Sequence, residues 1–214
     1  HELPAVVGLE DITELVLDDD LLIVDGGAGV VIVNPTPTTV GQYRDQQRKQ
    51  VALEEQLLGN KDLPATTTDG VAVQLYANID GPDEIDGALE HGAVGIGLYR
   101  TEYLFMVGDH VPDEETHYKT AVEVLERMAG RPVTMRTFDL GADKLAKFLE
   151  EAALDEANPA LGLRSIRLCL ADLGQGLFRT QLRGLLRASA HGPLRIMFPM
   201  ISGVAELGAE MAVL

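Results

Sequence analysis

From Leu63 onward, the apolar positions fall into short continuous runs separated by stretches in which they recur every three or four residues. Val71 to Ile79, Ala93 to Leu98, Pro132 to Thr137 and Leu194 to Met200 have the pattern of buried strands. Between them, helices are expected near Asp83 to His91, Asp113 to Ala129 and Gly174 to Ala190, with a last amphipathic helix in VAELGAEMAVL. Strand and helix in alternation imply a parallel sheet and an α/β fold. Four strands make half of an eight-stranded barrel, and a half barrel leaves open edges and an uncovered core.

The first sixty residues follow a different pattern. Pro4 to Val7, a helical acidic stretch to Asp20, Leu21 to Val24, a Gly26-Gly27 turn and Val30 to Val33 read as the strand-rich tail of a small domain, residues 1–34. Asn34-Pro35-Thr36-Pro37 breaks that pattern, and Thr38 or Thr39 is expected to cap a helix running to about Gly59. That helix is rich in Gln, Arg and Glu with few apolar positions, so residues 35–62 read as a solvated linker and 63–214 as the main domain.

Composition narrows the function classes. The chain has 214 residues, 46% of them hydrophobic, enough for a sizeable core. No stretch approaches the roughly 20 apolar residues that span a bilayer, and HELPAVVGLEDITEL lacks the basic start and apolar centre of a signal peptide, so a cytoplasmic location is expected. The single cysteine, Cys169, excludes an intrachain disulfide and reads as a core residue. The absence of an initiator Met and the uncapped last helix read as the ends of a fragment. With 17 Lys and Arg against 34 Asp and Glu, the net charge is −17, which argues against nucleic acid or an anionic membrane as partner.

The cations are nevertheless concentrated, because only Arg44, Arg48, Lys49 and Lys61 precede residue 100. GLYRTEYLFM carries Arg100 just past an apolar run, RTFDLGADK carries Arg136 and Lys144 past the next, and NPALGLRSIRLCL adds Arg164 and Arg167. The C-terminal ends of parallel strands are where such folds put their chemistry. A guanidinium fork suits paired oxygens and keeps its charge at any working pH, so three basic clusters at one rim point to a small phosphorylated, carboxylated molecule.

Spacing alone leaves other roles open. Arg100 can pair with a neighbouring carboxylate such as Glu102, and Arg136 with Asp139 or Asp143, while Lys144 and Arg164 occupy loop or helix-start positions where solvated cations are common. Glu102, Asp139 and Asp143 are read as orienting the arginines rather than as metal ligands. Arg167, Arg179, Arg183 and Arg187 fall at helical spacing, as an outer face with i to i+4 partners. His1, His91, His110, His117 and His191 show no ligand spacing and read as surface or helix-end residues. Gly26, Gly27 and Gly29 lack the setting of a dinucleotide site and read as a turn.

GLYRTEYLFM, VTMRTFDLGADK, NPALGLRSIRLCL and FRTQLRGLLRASAHGPLRIMFPMI, taken in order, resemble the phosphoenolpyruvate-binding barrel of the phosphoenolpyruvate-protein phosphotransferases, the Enzyme I family of the bacterial sugar phosphotransferase system. ELPAVVG and DLLIVDGGAGVVIVNPTP resemble the end of that family's swivelling phosphohistidine domain. The resemblance implies the first half of a (β/α)8 TIM-type barrel, preceded by the C-terminal tail of the swivelling β/α domain and a linker helix. It implies that Arg100 and Arg136 bind phosphoenolpyruvate, with Lys144 and Arg164 near the phosphate. The activity implied is transfer of the phosphoryl group to the protein's own histidine and on to a phosphocarrier protein, in a homodimer.

The resemblance also implies Mg²⁺, with its ligands and a cysteine proton donor beyond Leu214, and a phosphorylated histidine before residue 1, so no catalytic residue and no metal ligand is assigned here and the fragment alone is expected to be inactive. Ala142 stands where many members have glycine. Two further readings are a relative of the pyruvate phosphate dikinases and phosphoenolpyruvate synthases, which use the same barrel with an ATP-binding domain, and a non-catalytic regulatory barrel.

Overall fold

The computed structural model describes residues 3–107, 110–141, 158 and 161–213. The chain divides into two compact units, His1–Lys61 and Asp62–Leu214.

The first unit contains α1 (Ile12–Leu15), β1 (Leu22–Asp25), β2 (Val30–Val33) and α2 (Pro37–Leu58). The acidic stretch expected to be helical to Asp20 contracts to one turn, because the Asp20 carboxylate accepts from the Leu17 N–H at 2.8 Å and draws the backbone into a turn. β1 and β2 pair antiparallel, Leu22 opposite Val33 and Asp25 opposite Val30. The glycines between them form the expected turn, with Asp25 Oδ1 accepting from the Ala28 N–H at 2.9 Å. Gly29 there takes φ +67°, which a residue without Cβ adopts without strain. The cap of α2 is Thr36, not Thr38 or Thr39: its side-chain oxygen accepts from the Thr39 N–H at 3.2 Å. Pro37 then holds the first helical position, where its missing N–H leaves no bond unmade.

The second unit is built on four strands, β3 (Ala77–Ile79), β4 (Ile96–Arg100), β5 (Val133–Arg136) and β6 (Leu194–Met197). They lie in sequence order and all pair parallel. Among the described residues the helices are α3 (Ile85–Glu90), α4 (Tyr103–Val107), α5 (Glu114–Arg127), α6 (Ser165–Leu170), α7 (Asp172–Ala188) and α8 (Val204–Met211). The run Val71 to Ile79 yields only a short strand, because its first half folds back on the Thr66 segment. Thr67 N–H donates to the Val71 carbonyl and Val73 N–H to that of Ala65. Among the described residues no helix is long and apolar enough to cross a membrane.

One irregularity decides which way the edge residues point. Between Ile96 and Tyr99, β4 carries one residue more than either neighbour, since Ile96 pairs with Val133 and Tyr99 with Met135 while Ala77 and Asn78 face Ile96 and Leu98. Regular alternation would put Ile96, Leu98 and Arg100 on one face. The bulge switches the register, so Ile96 and Tyr99 both enter the core and Arg100 turns to the opposite face. Gly97 sits at this point, where a Cβ would lie 2.8 Å from the Cβ of Tyr76.

The core lies on one side of the sheet. Ile79, Ile96, Tyr99, Val133 and Met135 pack against Ile85, Val124, Leu125, Leu185 and Ala188 from α3, α5 and α7. A second cluster, Phe105, Phe138, Leu140, Ile166, Leu168, Cys169, Phe178 and Leu182, lies beneath the loops that follow β4 and β5. Helices α5 and α7 approach closely because Gly184 has no side chain: a Cβ there would be 2.7 Å from that of His117 and 2.8 Å from the Glu114 carbonyl oxygen. Arg187 fastens the same pair from outside, donating to Glu114 at 2.8 Å and Glu115 at 3.1 Å while stacking on the Tyr118 ring. Its partners are thus on the neighbouring helix rather than one turn away on its own.

Candidate functional site

The C-terminal ends of the strands gather the charged residues. Asp80 follows β3, Arg100 ends β4 with Thr101 and Glu102 behind it, and Arg136 ends β5 with Thr137, Phe138 and Asp139 behind it. Arg100 and Arg136 are register partners on adjacent parallel strands. In-register neighbours lie on the same face, so the two guanidinium groups rise from one rim rather than from opposite surfaces.

Arg100, Arg136 and Arg164 each have a counter-charge. Arg100 donates from Nη1 to Asp80 Oδ1 at 2.7 Å, in a pair whose side chains are 44% and 54% exposed. Its partner is therefore Asp80, which also ends a strand, and not Glu102. The bond to Asp80 raises the Arg100 pKa further above its ordinary value, keeping the group a permanent cation. Arg136 is held more deeply, at 19% exposure, by Glu102 Oε1 at 3.1 Å and Asp139 Oδ2 at 3.4 Å. Asp139 also accepts from Arg164 Nη2 at 3.0 Å, so one carboxylate joins two guanidinium groups. Glu102 Oε1 accepts in addition from the Asp139 N–H, which fixes the acidic residue to both loops.

The result is a line of alternating charge, Glu102, Arg136, Asp139 and Arg164, with the Arg100–Asp80 pair beside it. Glu102 and Asp139 orient arginines, as the sequence suggested. Among the described residues, Arg136 Nε and Glu102 Oε2 are buried without a hydrogen-bond partner, so donor and acceptor capacity remains within the line. Lys144, the fourth cation expected near the phosphate, lies outside the described residues, as do Ala142 and Asp143.

Arg164 reaches Asp139 because the backbone turns sharply after it. Ser165 takes φ +53°, a left-handed conformation unusual for a residue with a Cβ. It is held there by its N–H, which donates to the Leu140 carbonyl at 3.0 Å, and by its hydroxyl, which donates to the Pro199 carbonyl at 3.2 Å. Arg167 is turned away from the line and donates to the Leu161 and Gly162 carbonyls. Arg179, Arg183 and Arg187 are exposed on α7.

Sequence reasoning missed two residues here. Asp80 was legible as an acidic residue at the end of an apolar run, the same placement that drew attention to Arg100. Gln181 is buried, and its signal was a polar residue on the apolar stripe Phe178, Leu182, Leu185 of α7. One expectation fails in part: His117 lies in the first turn of α5, yet it is not at the surface but 2% exposed on the face toward α7, where Gly184 leaves room for it and Phe105 lies against it. Cys169 is a buried free thiol whose pKa is pushed up by burial, an inert core group.

Three guanidinium groups on rigid strand ends and loops can bind a small polyanion and stabilise charge that develops on it. Among the described residues no three His, Cys, Asp or Glu side chains come together as a metal site. The carboxylates at the rim are engaged by arginines, so they do not fit a divalent cation.

Residues 54–214 match the family described as PEP-utilising enzyme, PEP-binding domain. The chain is 46% identical over 213 residues to the phosphoenolpyruvate-protein phosphotransferase of Staphylococcus aureus, an alignment covering 100% of this chain and 36% of that protein. The same figures hold for the phosphoenolpyruvate-protein phosphotransferase of Geobacillus stearothermophilus. That of Staphylococcus epidermidis is 45% identical over 205 residues, 96% of this chain and 35% of the relative. The chain thus spans about a third of the length of these curated relatives. A rim of strand-borne arginines within a domain matched over residues 54–214 makes this chain a member of the PEP-utilising enzymes.

Proposed function

We propose that this chain is the part of a phosphoenolpyruvate-protein phosphotransferase that binds the phosphate of phosphoenolpyruvate, with Arg100 and Arg136 as the principal ligands and Arg164 and Lys144 assisting. The observation that carries the reading is the in-register pairing of Arg100 with Arg136 at the ends of adjacent parallel strands. Forks fixed side by side can meet different oxygens of one phosphoryl group.

The ion pairs divide the work. Arg100 and Asp80 form an exposed pair, a kind worth about 0–1 kcal/mol, so Arg100 exchanges its carboxylate for a phosphate oxygen at little cost. Arg136 is clasped from two sides and keeps its orientation while accepting a further anion. Phosphoryl transfer passes through a loose transition state with charge spread over the equatorial oxygens, and fixed cations lower that barrier through position and electrostatics. The described carboxylates do not fit a divalent cation, so no step here runs through one.

The wider reading follows the resemblance. Residues 63–214 are the first half of a (β/α)8 barrel, 35–62 a linker helix and 1–34 the tail of a swivelling phosphohistidine domain. The sequential parallel order β3-β4-β5-β6, with no switch point, supports a barrel over a doubly wound sheet. The protein carrying the chain would work in the cytoplasm as a homodimer, passing the phosphoryl group to its own histidine and then to a phosphocarrier.

The test uses labelled phosphoenolpyruvate and the full-length protein that contains this chain. Arg100→Ala and Arg136→Ala are each expected to lower phosphoenolpyruvate-dependent autophosphorylation by about 100-fold or more. Parental kinetics in both variants would remove these residues from the pocket.

A further inference from the structure

Gln181 is a fully buried polar residue of the second unit that neither binds a rim arginine nor lies at the rim itself. It sits on α7 at the seam between the two core clusters, with Phe178 and Leu182 in one and Leu185 in the other. Its side chain is fully buried, and both ends of the amide are engaged. Gln181 Oε1 accepts from the Phe138 N–H at 3.0 Å. Its Nε2 donates to Thr101 Oγ1 at 2.9 Å. The Thr101 hydroxyl in turn donates to the Arg136 carbonyl at 2.9 Å.

The direction of every bond in this chain is forced. A backbone N–H only donates, so the amide atom facing Phe138 is the oxygen, and the NH₂ group faces Thr101. The Thr101 oxygen receives that proton, which leaves its own hydrogen for the Arg136 carbonyl. No member can be reversed without breaking another. Buried polar groups arranged in this way specify one geometry, because any alternative leaves an unpaired group away from water.

The anchor points are those of the arginine rim. Thr101 lies between Arg100 and Glu102, and the Arg136 carbonyl and Phe138 N–H bracket Thr137, just ahead of Asp139. One amide from a helix behind the sheet therefore sets the spacing and height of the segments that follow β4 and β5. We propose that Gln181, acting through Thr101, is a positioning residue that holds the Arg100–Glu102 and Arg136–Asp139 segments in the relative placement required to bind the substrate phosphate. This rests on the phosphoenolpyruvate reading above and adds to it a residue that touches neither substrate nor either guanidinium.

The test compares kcat/KM for phosphoenolpyruvate at 10 °C in the full-length protein, with circular dichroism checking that each variant is folded at that temperature. Gln181→Met keeps the side-chain volume and removes both bonds, while Thr101→Val removes only the hydroxyl and is the milder variant should the first fail to fold. Each is expected to lower kcat/KM about 30-fold or more, because small misplacements of binding groups have effects of that order. The double variant should fall no more than about three-fold below the worse single one, since both substitutions break one chain of bonds. Leu185→Ala, a core truncation on the same helix, should lower the denaturation midpoint at least as much yet keep kcat/KM within about three-fold.

If Arg136→Ala is inactive while Gln181→Met and Thr101→Val match the parent, the positioning role is wrong and the phosphoenolpyruvate reading stands. If Leu185→Ala loses as much kcat/KM as Gln181→Met, the effect is general destabilisation and the inference is overturned. If Arg136→Ala retains parental kinetics, the phosphate site itself is misassigned and the inference falls with it.

Discussion

His117 makes the folded chain sensitive to acid in a way that can be worked out in advance. It is 2% exposed, its ring centroid is 6.0 Å from that of Phe105, and neither ring nitrogen has a hydrogen-bond partner among the described residues. Burial lowers its pKa from 6.5 to about 4, with the nearby Asp113 charge a smaller opposing influence. Between those values the unfolded chain binds a proton that the folded chain refuses, so stability rises with pH and is lost as pH falls. Below about pH 4 both states are protonated and this contribution stops changing. Between pH 7 and pH 5 the loss amounts to about 2 kcal/mol.

The measurement is urea denaturation of the chain at both pH values, set against His117→Leu. The variant pays a constant cavity cost, but its stability should decline about 2 kcal/mol less between pH 7 and pH 5. Other titrating groups enter both proteins alike, including Glu210, whose pKa burial pushes up to about 8. Parallel declines within about 0.5 kcal/mol would refute the reasoning and mean that the ring accepts its proton without penalty. The site is involved, because Phe105 packs on Phe138 at 5.5 Å directly behind the residues that carry Glu102 and Asp139.

Two other substitutions test the rim. Gly97→Ala brings a Cβ to 2.8 Å from the Tyr76 Cβ, which should destabilise the chain by about 1–3 kcal/mol in denaturant, and a change under about 0.5 kcal/mol would show that Tyr76 yields freely. Asp80→Asn removes the counter-charge of Arg100 from an exposed pair, so stability should move by less than about 1 kcal/mol while calorimetric affinity for phosphoenolpyruvate rises several-fold; weaker binding would mean that Asp80 steadies Arg100 instead of competing for it.

The strand-helix alternation was legible because its signals are local. β5 and β6 fall inside their apolar runs, and Asp113 caps α5 with its carboxylate on the Thr116 N–H. The ends of strands were less legible. Strict alternation would place Tyr99 on the face opposite Ile96, yet the bulge at Gly97 turns it into the core, and a register shift depends on both neighbouring strands rather than on the sequence of one. Partner identity was also hidden: sequence proximity paired Arg100 with Glu102, whereas the sheet brings Asp80 beside it from twenty residues earlier. His117 went the same way, since its burial depends on a glycine 67 positions downstream.

The order in which the charged residues occur along the chain bears on its synthesis. Asp80 precedes Arg100, Glu102 precedes Arg136, and Asp139 precedes Arg164, so each of these three rim guanidinium groups leaves the ribosome after an acid that will receive it. At roughly 5–20 residues per second, each new strand follows its predecessor within seconds. A growing sheet that adds strands in order docks each next to the last one made. Counted along these six residues in order of synthesis, guanidinium groups never outnumber carboxylates, so a partly made rim carries no excess of their positive charge.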